Sequence, residues 1–205
     1  MTRRAARIDV PALRKRARNH IPDGAVTAGY SGDRQAIVDL LNDALATEIV
    51  CVLRYRRHYF TARGIHSQSV AQEFLAHSNE ELGHADQIAE RIIQLGGEPD
   101  FAPQDLAGRS HAEYVAGDSL TSMMREDLVA ERIAIDSYRE MIRYVGNDDP
   151  TTRRMLEGIL AVEEEHADDL ADLFAGFPSE LRDTKLPTKG GNGAQRLERK
   201  RRAGR

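Results

Sequence analysis

The chain contains Glu81-Leu-Gly-His84 and, 82 residues later, Glu163-Glu-Glu-His166. On a helix, side chains three positions apart share a face, so each Glu-x-x-His pair aims a carboxylate oxygen and an imidazole nitrogen at one point beside the helix. Such a pair is half of a metal site, and two pairs predict two metal ions. A lone glutamate precedes each pair at nearly the same distance, Glu48 by 33 residues and Glu131 by 32. The likeness extends to the flanks: Glu48-Ile-Val-Cys-Val-Leu-Arg-Tyr55 and Glu131-Arg-Ile-Ala-Ile-Asp-Ser-Tyr138 both place a tyrosine seven residues after the glutamate. Glu-rich helices produce one Glu-x-x-His by chance. Two, each preceded by a glutamate within an apolar stripe, read as one half-site made twice. An isolated buried carboxylate is costly unless paired or bound to metal, so four of them facing inward point to metal chemistry.

Four long helices must position these groups. Apolar residues at Ile37, Leu40, Leu41, Leu45, Ile49, Val52 and Leu53 recur at helical spacing and predict a first helix from Asp33 to about Arg63, stopped by Gly64. The second, capped by Ser67 or Ser69, runs through Val70, Phe74, Leu75, Leu82, Ile88, Ile92 and Ile93 to Gly96-Gly97-Glu-Pro99. Residues 97–117 carry Pro99, Pro103, Gly108 and Gly117 without periodicity, which is long for a connection inside a compact domain and predicts a crossover. The third helix starts at Asp118 or Ser119 and ends at Gly146. The fourth is capped by Asp149, has Pro150 in its first turn, and reaches about Phe174. The predicted fold is all-α, a four-helix bundle with one long connection between its second and third helices.

Composition sets the outer bounds. The 205 residues are 40% hydrophobic, 30% charged and 5% aromatic, with no tryptophan, which suits amphipathic helices and not a β-sandwich. No apolar run approaches the ~20 residues that cross a bilayer, and the basic N-terminus lacks the apolar stretch of a signal peptide, so a cytoplasmic protein is expected. Cys51, the single cysteine, excludes an internal disulfide and reads as a small buried side chain. The net charge of -4 is unevenly spread. Residues 1–20 hold seven Lys/Arg against one acid and residues 182–205 nine against two, leaving 30 acids and 13 bases between them. The expected organisation is a basic N-terminal extension over 1–32, the bundle over 33–177, and a flexible basic tail over 178–205.

Residues 33–175 resemble the ferritin-like superfamily and in particular bacterioferritin. The matching segments are Asn42-Asp-Ala-Leu-Ala-Thr-Glu48, Glu80-Glu-Leu-Gly-His84-Ala-Asp86, Asp127-Leu-Val-Ala-Glu131 and Glu164-Glu-His166, together with Tyr55. The resemblance implies a ferroxidase that oxidises Fe(II) with O2 or H2O2 and stores ferric iron in an oligomeric shell. It implies that Glu48 and His84 are terminal ligands of one iron, Glu131 and His166 of the other, and that Glu81 and Glu163 bridge both. Tyr55 is either a source of a further electron or a core tyrosine. Carboxylate and imidazole donors suit iron, with manganese the second choice.

Two departures from bacterioferritin concern assembly. Leu82 stands where that family has a haem-binding methionine, so no haem is expected, and the family's short fifth helix gives way to linker and basic tail. The tail and the N-terminal extension resemble the Dps type of mini-ferritin, which implies a twelve-subunit shell in preference to a twenty-four-subunit one and DNA association through the tails. The rival readings are a manganese catalase-like or peroxidase-like enzyme on the same fold, and a DNA-binding protective protein with vestigial carboxylates. Among the remaining polar residues, His77 reads as a polar helix residue in preference to a carrier of iron inward from the site, Asp127 as either a partner that orients a ligand histidine or an ordinary helix residue, and His20, His58, His66 and His111 as surface residues.

Overall fold

The computed structural model describes residues 8–64 and 67–177, which form six α-helices and no strand. A short α1 (Val10–Arg16) precedes α2 (Arg34–Thr61), α3 (Ser67–Gln94), α4 (Leu106–Arg109), α5 (Leu120–Val145) and α6 (Pro150–Ala175). The four long helices are the predicted ones, and the connection from α3 to α5 is the predicted crossover. The basic tail lies outside the described residues. No described helix is long and apolar enough to cross a membrane.

Local chemistry accounts for the boundaries. Asp33 caps α2 by accepting from the Ala36 N–H at 3.1 Å. Ser119 and Ser122 exchange side-chain and backbone hydrogen bonds in a reciprocal capping box at the start of α5. Asp149 caps α6 through the Thr152 N–H at 2.9 Å, with Pro150 in the first turn. Asp149 is also gripped by Arg91 of α3 and by the Tyr30 hydroxyl, which ties the N-terminal linker and α3 to the start of α6. Gly64 and Gly146 take positive φ, +115° and +55°, which lets the chain leave α2 and α5 without Cβ strain.

The crossover is bound to α2 along its length. Asn42 accepts from the Asp100 N–H at 2.8 Å and donates to the Glu98 carbonyl, while Arg109 donates to the Asn42 carbonyl at 2.8 Å. Leu106 of α4 packs on Ala46 and Val50, and Ala112 on Cys51 and Ala130, so Cys51 is the small buried side chain expected. Four residues are too few for α4 to show periodicity in the sequence.

Pairing of α2 with α3 and of α5 with α6 closes the bundle. Two large apolar clusters fill most of its interior. Leu41, Leu45, Ile88, Ile92, Leu156 and Ile159 anchor one end. Tyr55, Val70, Phe74, Met123, Met124 and Leu170 anchor the other. Along each long helix the predicted ligands fall between these clusters, so dry packing on both sides shields them from water.

Candidate metal centre

Glu48 projects from α2, Glu81 and His84 from α3, Glu131 from α5, and Glu163 and His166 from α6; all six are at most 5% exposed. They converge into two groups of four, Glu48–Glu81–His84–Glu163 and Glu81–Glu131–Glu163–His166. The groups share Glu81 and Glu163. His84 Nδ1 lies 3.5 Å from Glu48 Oε2, 3.4 Å from Glu81 Oε2 and 3.0 Å from Glu163 Oε1. His166 Nδ1 lies 3.7 Å from Glu81, 4.0 Å from Glu131 and 3.9 Å from Glu163. The two rings stand 6.3 Å apart and nearly parallel.

These atoms approach without hydrogen-bonding. Glu48 Oε2, Glu81 Oε1, His84 Nδ1, Glu131 Oε2, both Glu163 oxygens and His166 Nδ1 are buried with no hydrogen-bond partner. Buried polar atoms are almost always satisfied, and here every one of the six side chains carries an orphan aimed at the same small volume. Oxygen and imidazole donors in two four-residue sets fit a pair of divalent cations with shared carboxylates.

Tyr138 belongs to this constellation although only the repeat hinted at it. Its hydroxyl donates to Glu48 Oε1, and the Tyr55 hydroxyl donates to Glu131 Oε1. Each tyrosine holds the glutamate of the opposite half, leaving that carboxylate's other oxygen for the cation. Burial, followed by neighbouring carboxylates, raises both phenols well above their ordinary range and keeps them protonated as donors. His166 is steadied further by Glu80, which faces its Nε2 at 2.7 Å. A carboxylate on the far nitrogen fixes ring orientation and tautomer in metal-bound histidines. The counterpart of Glu80 in the repeat is Val162, which offers no acceptor to His84.

The sequence reading of His58 is corrected, and one of the two readings of Asp127 falls away. His58 is fully buried: its Nδ1 meets Asp127 at 2.8 Å and its Nε2 faces the Val115 and Ala116 carbonyls of the crossover. Asp127 therefore orients no ligand histidine. It sits between His58 and the buried Arg54, whose Nε donates to it at 2.7 Å. His77 is 1% exposed, stacks on His166 with ring centres 4.0 Å apart, and meets the Tyr55 hydroxyl at 3.3 Å. His20 and His111 are exposed as expected, and His66 lies outside the described residues.

Without metal, protons hold the charge balance. Burial opposes ionisation of His84, but its interactions with Glu48 and Glu81 outweigh this and push its pKa up to about 10. His166 is likewise disfavoured by burial, yet is pushed up to about 9 by Glu81 and Glu131. Burial, then repulsion from Glu81, pushes Glu131 up to about 7. Burial raises Glu48 and Glu163 well above the carboxylate range. Glu81 is also opposed by burial, but the two histidines hold it below that range.

The groups with raised pKa bind protons more tightly in the folded chain. The folded state therefore carries more protons than the unfolded one from the ordinary carboxylate range up to about pH 9, and stability falls as pH rises through that interval. Glu81 and His77, the latter lowered to about 3 by burial and by His166, have the opposite sign, but their contributions change only at or below about pH 6.5 and leave the fall toward pH 9 in place. Calorimetry of metal-free protein is expected to show an unfolding midpoint that drops from about pH 6 to about pH 9. A midpoint that rises over this interval contradicts the assignment.

Residues 38–178 match the family model for the ferritin-like domain. The chain belongs to the ferritin-like family. It is 32% identical over 142 residues to a nutrient stress-induced DNA-binding protein of Synechococcus, covering 68% of this chain and 81% of that protein. It is 26% identical over 141 residues to the bacterioferritin of Desulfovibrio desulfuricans, covering 68% and 75%. Among solved structures, the dodecameric thioferritin of Bacteroides fragilis, a bacterioferritin-related protein, superposes with a TM-score of 0.69 at 30% identity, covering 76% of this chain and 93% of that one. Dps from Thermosynechococcus elongatus shares the fold, with a TM-score of 0.67 at 18% identity.

Proposed function

We propose that the protein is a ferroxidase that binds two ferrous ions in its bundle core, oxidises them together, and stores the ferric product inside a shell of identical chains. The observation that carries this reading is the pair of four-residue groups sharing Glu81 and Glu163, with an orphaned buried donor on every one of the six side chains. Glu48 and His84 would bind one ferrous ion, Glu131 and His166 the other, and the shared carboxylates would hold the two side by side. Each ion gives up one electron. Hydrogen peroxide accepts the pair with two protons and leaves as two waters; dioxygen accepts the pair with two protons and leaves as hydrogen peroxide. Simultaneous delivery of two electrons avoids releasing a one-electron radical.

The protein's own side chains carry the remaining work. Tyr55 and Tyr138 hold one oxygen of Glu131 and Glu48, and the apolar clusters on either side exclude bulk water. Assembly is supported by apolar stripes on the outer faces of α2 and α3: Leu53 and Phe60 are seven residues apart, Leu82 and Ile93 eleven, and all four are exposed. These faces fit a second copy of the chain, and the dodecameric relative makes twelve copies the favoured number. Ferrous iron added to the metal-free shell should be oxidised at an initial rate proportional to protein, with a break at two ions per chain. A rate equal to that of ferrous iron alone contradicts the reading, and manganese in the purified protein with catalase turnover favours the manganese alternative.

DNA association is a second reading, favoured by the basic segments and by relatives whose names describe DNA binding or DNA protection. Residues 33–177 would form the oxidising bundle, with 1–32 and 178–205 as basic extensions. A single short tail binds DNA weakly, but many on one particle raise the effective concentration of each successive contact. The full-length particle should retard DNA of any sequence, lose that binding steeply with salt, and lose it on truncation at Lys189. Binding that survives removal of both basic ends rejects this reading.

A further inference from the structure

His77 departs from the repeat. Shifted by 82 residues, Glu73, His77 and Asp169 correspond to Met155, Ile159 and Gln87, and Ile159 and Met155 pack in the apolar cluster at the other end of the bundle. One half of the duplicated framework thus has the aliphatic Ile159, and no carboxylate beside it, where the other has an imidazole between two carboxylates. His77 Nε2 lies 3.4 Å from Glu73 Oε1 and 4.0 Å from Asp169 Oδ2, and it is buried with no hydrogen-bond partner.

The tautomer of His77 follows from its other nitrogen. The Tyr55 hydroxyl donates to Glu131 Oε1, and its oxygen keeps lone pairs that can accept from a neighbour. His77 Nδ1, 3.3 Å from that oxygen, must then carry the ring's N–H. The lone pair of a neutral ring therefore sits on Nε2 and points at two carboxylates. Three electron-rich groups converge, all within 4.8 Å of one another, and a cation between them relieves their repulsion. Glu73 is already driven above its ordinary range, first by burial and then by Asp169 and Glu80.

We propose that Glu73, His77 Nε2 and Asp169 form a third divalent-cation site, separate from the dinuclear centre and divided from it by the stacked His166 ring. One nitrogen and two carboxylates suit ferrous iron and similar borderline cations. Glu73 and Asp169 are 36% and 51% exposed and wall a cleft of about 460 Å³ between α3 and α6, which Asp172 also lines. A hydrated cation reaches this position from outside the bundle, and the site holds it one ring away from His166.

The test is a count of cobalt(II) bound per chain when metal-free, full-length protein is titrated anaerobically near neutral pH. Three proteins are compared: wild type, Glu73→Gln/Asp169→Asn, and Glu81→Gln/Glu163→Gln. The expected counts are three, two and one. The half-exposed Glu73 and Asp169 accept isosteric amides without disturbing the core. Wild-type occupancy in Glu73→Gln/Asp169→Asn overturns the third site. Wild-type occupancy in Glu81→Gln/Glu163→Gln instead rejects the dinuclear centre, so the two failures are distinct.

Discussion

Replacing Glu81 and Glu163 together by alanine is expected to lower the initial rate of ferrous oxidation by about 100-fold or more, since loss of a mere supporting group around a metal already costs about 10- to 100-fold. Both carboxylates belong to both four-residue groups, so their removal dismantles two cation positions at once. Glu131→Ala and His84→Ala each take a ligand from one group only and are expected to impair oxidation less. The helices should persist in all these variants, because the site is flanked by two apolar clusters that none of the substitutions touches. Wild-type initial rates in Glu81→Ala/Glu163→Ala, with helical content unchanged, contradict the ligand assignment.

The largest effect on stability is expected from Asp127→Ala. Asp127 is fully buried between Arg54 and His58, which are also fully buried. Removing it leaves a guanidinium in the protein interior without its carboxylate, and breaking a buried pair from one side costs about 3–5 kcal/mol. The damage should spread to the crossover, since Arg54 also donates to the Glu113 carbonyl and His58 faces the carbonyls of Val115 and Ala116. Urea unfolding of metal-free protein measures the loss. Adding Arg54→Met to Asp127→Ala should recover part of it, because the stranded charge goes with it. A loss below about 1 kcal/mol in the single variant contradicts a structural role for this triad.

The contrast between these two networks explains what the sequence disclosed. Ligand geometry is periodic: Glu-x-x-His on a helix fixes a shared face, and its recurrence after 82 residues identified both halves before any tertiary contact was known. Cap residues are equally local, which is why Asp149 and Pro150 located the start of α6. His58 was misread because nothing within α2 distinguishes a surface histidine from one covered by a distant loop; carbonyls 57 and 58 residues away do the covering. Asp127 stayed open between two roles by the same logic, since its position one turn before Glu131 says which face it shares but not that Arg54 lies opposite. The burial of His77 is equally invisible within α3, since its stacking on His166 is a contact between helices. Leu53, Leu82 and Ile93 counted toward the helical pattern yet face outward. Their periodicity records a second apolar surface, one that a neighbouring subunit would cover.

Mössbauer spectroscopy tests the central claim most directly. Metal-free protein loaded anaerobically with two isotopically enriched ferrous ions per chain, exposed to oxidant and frozen at once, should give the spectrum of ferric pairs magnetically coupled through shared ligands. Isolated, uncoupled ferric ions as the initial product would contradict a centre in which Glu81 and Glu163 hold two metals together.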